Sequence, residues 1–361
     1  MVSLSEIYTS NALITSSLPP RLVAVFVGGT SGIGESTLKA FVSYAVQPKI
    51  YILGRNNASA ERIIGECKFL GPEGHVGEAE VVFLQADLSS MKTVEGTCED
   101  IKRREGSEGK INFLFLSTGT PSFDRSLTPE GLHAFLASAY YDRMLIIHLL
   151  APLLLSATDS HPGLARVVSV ACGCDEGIIE PSDFSALRIP SSALRGHIGT
   201  LTTLTLEALA TNTGPDTSIT FIHANPGLVR TPYQDRMTGA FGVFARGLMW
   251  VKKITGEAIG IEESGERQVE RLILHLYLLT SARYPPGGVP IKGGVLSAIG
   301  TNGLRANEGS KAGAVYSVDK NGEPAGEHVV NLLTKYREEG MVDRLWVWLK
   351  GEYYRAGVVL S

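Results

Sequence analysis

Six apolar residues, Leu22-Val23-Ala24-Val25-Phe26-Val27, run without a break into Gly28-Gly29-Thr30-Ser31-Gly32-Ile33-Gly34. No other feature limits the fold as much. A short continuous apolar run reads as a strand buried on both faces, the habit of parallel sheets. The glycines, and a helical pattern over 35–45, then turn the chain back across that sheet as a βαβ unit begins. In this context the spacing predicts a phosphate cradle. Gly28 permits the tight turn, Gly32 lets backbone approach a pyrophosphate, and Gly34 lets helix and strand pack closely. The helix start adds free N–H groups and partial positive charge.

The alternation continues. Short β-branched or aromatic runs at 49–53, 81–85, 113–116, 166–170 and 218–223 predict further strands, with helical patterns over 131–155 and 201–210 among them. The fold class is therefore α/β: a Rossmann-type, doubly wound parallel sheet flanked by helices, with an apolar lid and a C-terminal extension. Residues 1–20, polar and ending in Pro19-Pro20, read as a lead-in rather than a core element. Residues 21–235 form the dinucleotide-binding core, 236–290 a substrate lid and helical segment, and 291–361 an extension packed on the core. In that extension Asn321-Gly322 reads as a turn, and 329–354 as one or two closing helices carrying Trp346 and Trp348. Its 361 residues suffice for a large core.

The second strand ends Ile52-Leu53-Gly54-Arg55-Asn56. A site that selects NAD puts a carboxylate here for the ribose hydroxyls. Arg55 instead favours a 2′-phosphate by charge and bidentate geometry, which points to NADP(H).

Composition removes other classes. A formal charge of −4 gives a nucleic-acid backbone nothing to bind. The four cysteines, Cys67, Cys98, Cys172 and Cys174, are too scattered for a disulfide framework, and Cys172-Gly173-Cys174 has no second ligand cluster nearby, so reduced structural thiols and no metal are expected. The first twenty residues lack a basic start followed by an apolar core, and no uncharged apolar stretch reaches a membrane-spanning length of about 18–20 residues. A soluble, cytoplasmic protein is the expectation.

Further motifs follow in order. Ala86-Asp87-Leu88 succeeds the third strand, Leu116-Ser117-Thr118-Gly119 the fourth, and Asn225-Pro226-Gly227-Leu228-Val229-Arg230-Thr231-Pro232 the sixth. With the glycine cradle, these make residues 22–235 resemble the short-chain dehydrogenase/reductase family. The resemblance implies dinucleotide contacts at Gly28, Ser31, Gly32, Ile33, Gly34, Arg55, Asp87, Leu88, Gly119, Pro226, Gly227, Val229 and Thr231, the last two toward the nicotinamide carboxamide. Val27 departs from the family's usual Thr, and only Gly119 survives of an Asn-Asn-Ala-Gly segment. Residues 265–267 and 281–286 add a likeness to fungal secondary-metabolite proteins of this type.

The family moves a hydride with help from Asn, Ser, Tyr and Lys, the Lys lowering a phenol pKa that is ordinarily about 10. Counting back from Leu150-Ala151-Pro152 places the Asn position at Ala139, with Asp142 where glycine is usual. The strand at 166–170 places the Ser position at Cys172. The Tyr position falls on Arg195 or Gly196, and the Lys position on Gly199 or Thr200. Tyr316-Ser317-Val318-Asp319-Lys320 spells the right spacing but reads as a strand, which separates the two side chains by roughly 13 Å. The proton machinery is absent.

Three functions stay open. One is a non-redox catalyst of cyclisation, dehydration or rearrangement on this scaffold, with NADP(H) retained structurally or not at all; its candidate acids and bases are Asp142, Cys172, Arg195, His197 and Tyr233. The second is an NADPH-dependent carbonyl reductase with Tyr233 or a water as proton donor. The third is a catalytically silent binding protein. The apolar segment 239–251 suits a bulky, mostly apolar small molecule, or a homodimer face.

Overall fold

The computed structural model describes residues 2–120, 125–214, 218–227, 273–287, 293–295 and 315–360. Among the described residues seven strands form one sheet in the order β3-β2-β1-β4-β5-β6-β7, every neighbouring pair parallel. They are β1 (Val23–Val27), β2 (Lys49–Gly54), β3 (Glu80–Gln85), β4 (Phe113–Leu116), β5 (Ala165–Val170), β6 (Ile219–Ala224) and β7 (Val315–Val318). The order reverses between β1 and β4, so the crevice outside their carboxyl ends is where a doubly wound sheet receives a ligand. β7 extends the sheet beyond the expected 21–235 core. Four residues inside a glycine-rich stretch signal a strand weakly, and pairing with β6 decides their state.

The central strands are buried on both faces, and their period of two divides two cores. Val23, Val25, Val27, Leu114 and Leu116 face one layer; Ala24, Phe26, Phe113 and Phe115 face the other. The first layer holds α5 (Met91–Glu105), α7 (Asp142–Ser160), α8 (Ser191–Asn212), α10 (Glu327–Glu338) and α11 (Met341–Arg355). The second holds α1 (Leu4–Ala12), α2 (Ile14–Ser17), α3 (Gly32–Tyr44), α4 (Asn57–Cys67) and a helix α9 over 273–280.

The first twenty residues are thus part of the core, correcting the lead-in expectation. Ile7, Ile14 and Leu18 are buried, the Asn11 amide donates to the Ile273 carbonyl at 3.0 Å, and Tyr277 donates to Glu6. Leu4 and Tyr8 stay exposed, and the buried face of α1 is Ile7 with Ser10 and Asn11, a mixed face that no apolar periodicity announces. At the other end Gly340, at φ +69°, breaks the closing stretch into α10 and α11. Trp348 lies against Tyr140, Tyr141 and Phe184, Trp346 against His148, and the Tyr353 hydroxyl donates to the Tyr141 carbonyl at 2.8 Å. α11 therefore covers α7 and α8 of its own chain.

α7 continues from α6 (Ala134–Leu136) through a π turn, Ala137–Tyr141. Such one-residue insertions collect at functional sites. Residues 134–160 are the one described helix long and apolar enough by composition to cross a membrane, but the helix packs against α5, α8 and β4–β6 as a core element.

Candidate functional site

The cradle is built as its spacing demands. Gly28 and Gly32 stand at φ +82° and +58°, in the left-handed region. At Gly34 there is no room for a side chain: a Cβ would lie 2.5 Å from the Gly28 carbonyl oxygen and 2.6 Å from Ser117 Oγ. Ser31 begins α3 in extended backbone with its hydroxyl outside any cap hydrogen bond. Ile33 is half-buried against the second core. Arg55 is exposed at the end of β2, no described residue pairs with its guanidinium, and Gly119 is exposed beyond β4. Asp87 is exposed and accepts from the Ser89 amide and hydroxyl, while Leu88 turns inward to the first core. These features fit a dinucleotide phosphate with a free cation beside it.

Pro226 and Gly227 follow β6; the Gly227 amide donates to Asn225 Oδ1 at 2.9 Å with φ +64°. Val229, Thr231, Tyr233 and the apolar segment 239–251 lie outside the described residues.

The ends of β4 and β5 are tied by a buried arginine. Arg143 Nη1 donates to Ser169 Oγ at 2.9 Å and to the Val170 carbonyl at 2.8 Å, and Nη2 to the Thr118 carbonyl. Asp142 beside it is fully buried. Its Oδ1 accepts from the Arg143 amide at 2.8 Å, and the Thr118 hydroxyl beside the carboxyl favours its ionised form. Burial lifts the Asp142 carboxyl to about 6, with Arg143 opposing part of that rise.

On α8 two of the expected positions, Gly196 and Gly199, meet backbone, whereas Arg195, the other position for the Tyr, is exposed. A Cβ on Gly196 would sit 3.0 Å from Gly177 Cα, and one on Gly199 3.3 Å from the Cys172 carbonyl oxygen. The Gly177 amide donates to the Gly196 carbonyl, and Thr200 Oγ1 donates back to the Gly177 carbonyl at 2.6 Å. The loop after β5 thus lies backbone to backbone on α8 at Gly196 and Gly199. Tyr316, from the Tyr-x-x-x-Lys coincidence, lies in β7 with its hydroxyl donating to the Pro285 carbonyl at 2.7 Å.

That loop rests on a buried polar network. Glu176 Oε1 accepts from Thr203 and Ser317, each at 2.6 Å; His223 Nε2 accepts from the Cys172 amide at 3.2 Å, and its Nδ1 lies 2.8 Å from Thr203 Oγ1. The net shift of the Glu176 carboxyl is downward: burial opposes it, and His223, Ser317 and Thr203 outweigh burial. Burial pushes the Cys172 and Cys174 thiols up to about 12, and all four cysteines are free thiols. His197 belongs to α8 rather than a loop. Nδ1 accepts from the Glu180 amide, Nε2 lies 3.2 Å from the Phe184 carbonyl, and burial lowers its pKa, which describes a structural imidazole.

Among the described candidates, Arg195 is the one that is exposed. Its Nε and Nη2 donate to Asp175 Oδ2 at 2.8 and 2.5 Å, and Asn225 Nδ2 donates to the same oxygen at 2.8 Å. Sequence reasoning passed over Asp175 and Glu176. The available signal was an acidic pair directly after Cys172-Gly173-Cys174, in a glycine-bounded loop at a strand's carboxyl end. Asp175 thus brings Arg195 and Asn225 together, while Asp142 lies beside Thr118 after β4.

No protein-family model matches the chain. Among curated proteins it is 35% identical to oxidoreductase AN1596 of Emericella nidulans over 356 residues, 96% of each chain. It is 34% identical to oxidoreductase andH of Emericella variicolor over 350 residues, covering 96% of this chain and 95% of that one. Short-chain dehydrogenase/reductase SAT2 of Stachybotrys chartarum matches at 29% over 239 residues, 62% of this chain and 64% of the relative. Among solved structures, L-sorbose reductase of Gluconobacter frateurii aligns with a TM-score of 0.47 and 16% identity over 71% of this chain and 89% of that chain. With near full-length relatives among fungal oxidoreductases, and a seven-stranded parallel sheet opened by a glycine cradle, this chain belongs to the short-chain dehydrogenase/reductase family and is an enzyme of it.

Proposed function

We propose that the protein is a biosynthetic enzyme that holds NADP(H) along the carboxyl edge of its sheet and acts on a bulky, mostly apolar small molecule by non-redox acid/base chemistry. One observation supports this reading: the loop from Cys172 to Gly177 lies backbone to backbone on α8 at Gly196 and Gly199, two of the positions where the resemblance would put the phenol and the ammonium. Without a positioned acid, carbonyl reduction forgoes roughly 10²–10⁴-fold in rate.

NADP(H) bound here would supply hydride chemistry at its nicotinamide. The chain's own residues supply binding and charge. Gly28, Gly32 and the start of α3 receive the pyrophosphate, and Arg55 takes the 2′-phosphate. Arg195, held by Asp175, offers fixed N–H groups to an oxygen on which negative charge develops. Asp142, fully buried with a carboxyl lifted to about 6, anchors the start of α7 beside Thr118 rather than facing the ligand. The buried thiol of Cys172 stays protonated and is a poor nucleophile. Ile178, 79% exposed on the loop beside Gly177, adds an apolar surface for the substrate.

A second reading, NADPH-dependent carbonyl reduction with an atypical donor, is favoured by the oxidoreductase names of the near full-length relatives. The deciding experiment incubates the protein with NADPH and a panel of terpenoid and polyketide ketones, following NADPH absorbance and product mass together. A product isomeric with its substrate, or lighter by one water, with NADPH unconsumed, supports non-redox chemistry. Stoichiometric NADPH oxidation with a gain of two hydrogens establishes the second reading instead.

A further inference from the structure

We infer that Asp175 is a positioning residue for the nicotinamide end of the dinucleotide site, an inference that rests on the NADP(H) reading above. A single oxygen, Asp175 Oδ2, accepts from Arg195 on α8 and from the Asn225 amide after β6. Asn225 then turns its own Oδ1 to the Gly227 amide, holding Gly227 at φ +64°. One carboxylate thus joins three pieces of chain: the loop after β5, the opening turns of α8, and the Pro-Gly segment. The Asn225 backbone amide is already committed to the Val318 carbonyl at 2.9 Å, so only its side chain answers to Asp175.

Location gives this tie its meaning. β6 stands three strands from β1, about 14 Å along the carboxyl edge at about 4.8 Å per strand. Pro226-Gly227 therefore lies well away from the phosphate cradle, at the far end of an extended dinucleotide. The loop carrying Asp175 has other anchors: the Cys174 amide on Ser317, Glu176 on Thr203 and Ser317, and Gly177 on Gly196. Removing the Asp175 carboxylate leaves the loop seated and frees only Asn225, Gly227 and the Arg195 guanidinium.

The test is fluorescence titration of the full chain with NADPH and with 2′,5′-ADP, which carries the adenosine half alone. Asp175→Ala should weaken NADPH about tenfold and hold 2′,5′-ADP within about twofold, with Asp175→Asn giving the same split in smaller measure. Asn225→Ala should match Asp175→Ala, and the double variant should be no weaker than either, as expected for residues acting through one hydrogen bond. Equal loss on both probes, additive losses, or unchanged NADPH affinity in Asp175→Ala would overturn the inference alone. A wild-type chain that binds neither probe would instead overturn the NADP(H) reading, and this inference with it.

Discussion

Gly177 donates its amide to the carbonyl of Gly196 at 2.9 Å, and neither residue has space for a side chain toward the other. A loop and a helix are thereby in backbone contact at one of the two positions where the family resemblance would put a Tyr. Gly196→Ala places a Cβ 3.0 Å from Gly177 Cα and should cost about 1–3 kcal/mol, read as a fall in denaturation midpoint. Gly196→Tyr should destabilise further and restore no carbonyl reduction. Recovery of reductase activity in that variant would show the relay space to be open.

Asp142 gives a pH signature. Its folded-state pKa of about 6 stands above its ordinary 3.8, so burial disfavours the ionised form. Below about pH 4 the group is protonated in both states and costs nothing. Between about pH 4 and 6 the unfolded chain has released the proton and the folded chain has not, and stability declines by a total of roughly 2–3 kcal/mol. Asp142→Asn should therefore exceed wild type in stability above pH 6 and match it below pH 4. Calorimetric melts across that range check this, and a constant offset would contradict it.

Arg55 predicts cofactor choice. It is exposed, and no described residue competes for its guanidinium. Arg55→Ala should weaken NADPH by about 10–100-fold, the scale of a charge-assisted contact, and leave NADH nearly unchanged. Equal losses for the two nucleotides, measured by titration, would detach Arg55 from the 2′-phosphate.

Arg166 makes a structural prediction. It is fully buried in β5, where desolvation lowers its pKa to about 10, and its guanidinium donates to the carbonyls of Leu278, Ser281 and Gly293. Arg166→Leu leaves those buried acceptors unmatched, at about 1–3 kcal/mol each. Denaturant unfolding should show a loss of at least about 2 kcal/mol, with nucleotide affinity falling only as the folded fraction falls.

The sheet was legible because its strands announce themselves: six runs, from Val23–Val27 to Ile219–Ala224, are short, largely apolar and bounded by turns. Gly28, Gly32 and Gly34 were legible because their spacing encodes a backbone shape. Long-range geometry was not. Nothing local in Ser-Glu-Ile-Tyr says that Ile7 packs in the second core, and nothing near Asp175 says that it meets residues twenty and fifty positions away. That the loop after β5 meets α8 backbone to backbone at Gly177 and Gly196 required the fold. His197 illustrates the same limit, since an imidazole that bonds two loop positions and one that moves protons share a letter.

The Tyr353 hydroxyl reaches the Tyr141 carbonyl across 212 residues of sequence. A contact of such separation forms only after the intervening strands have paired, because closing so long a loop costs entropy that nothing local repays. The aromatic seal of α11 over α7 and α8 therefore belongs to the late steps of folding. Loosening it should hasten unfolding while hardly slowing refolding, so this seal governs how long the assembled molecule persists rather than how fast it is made.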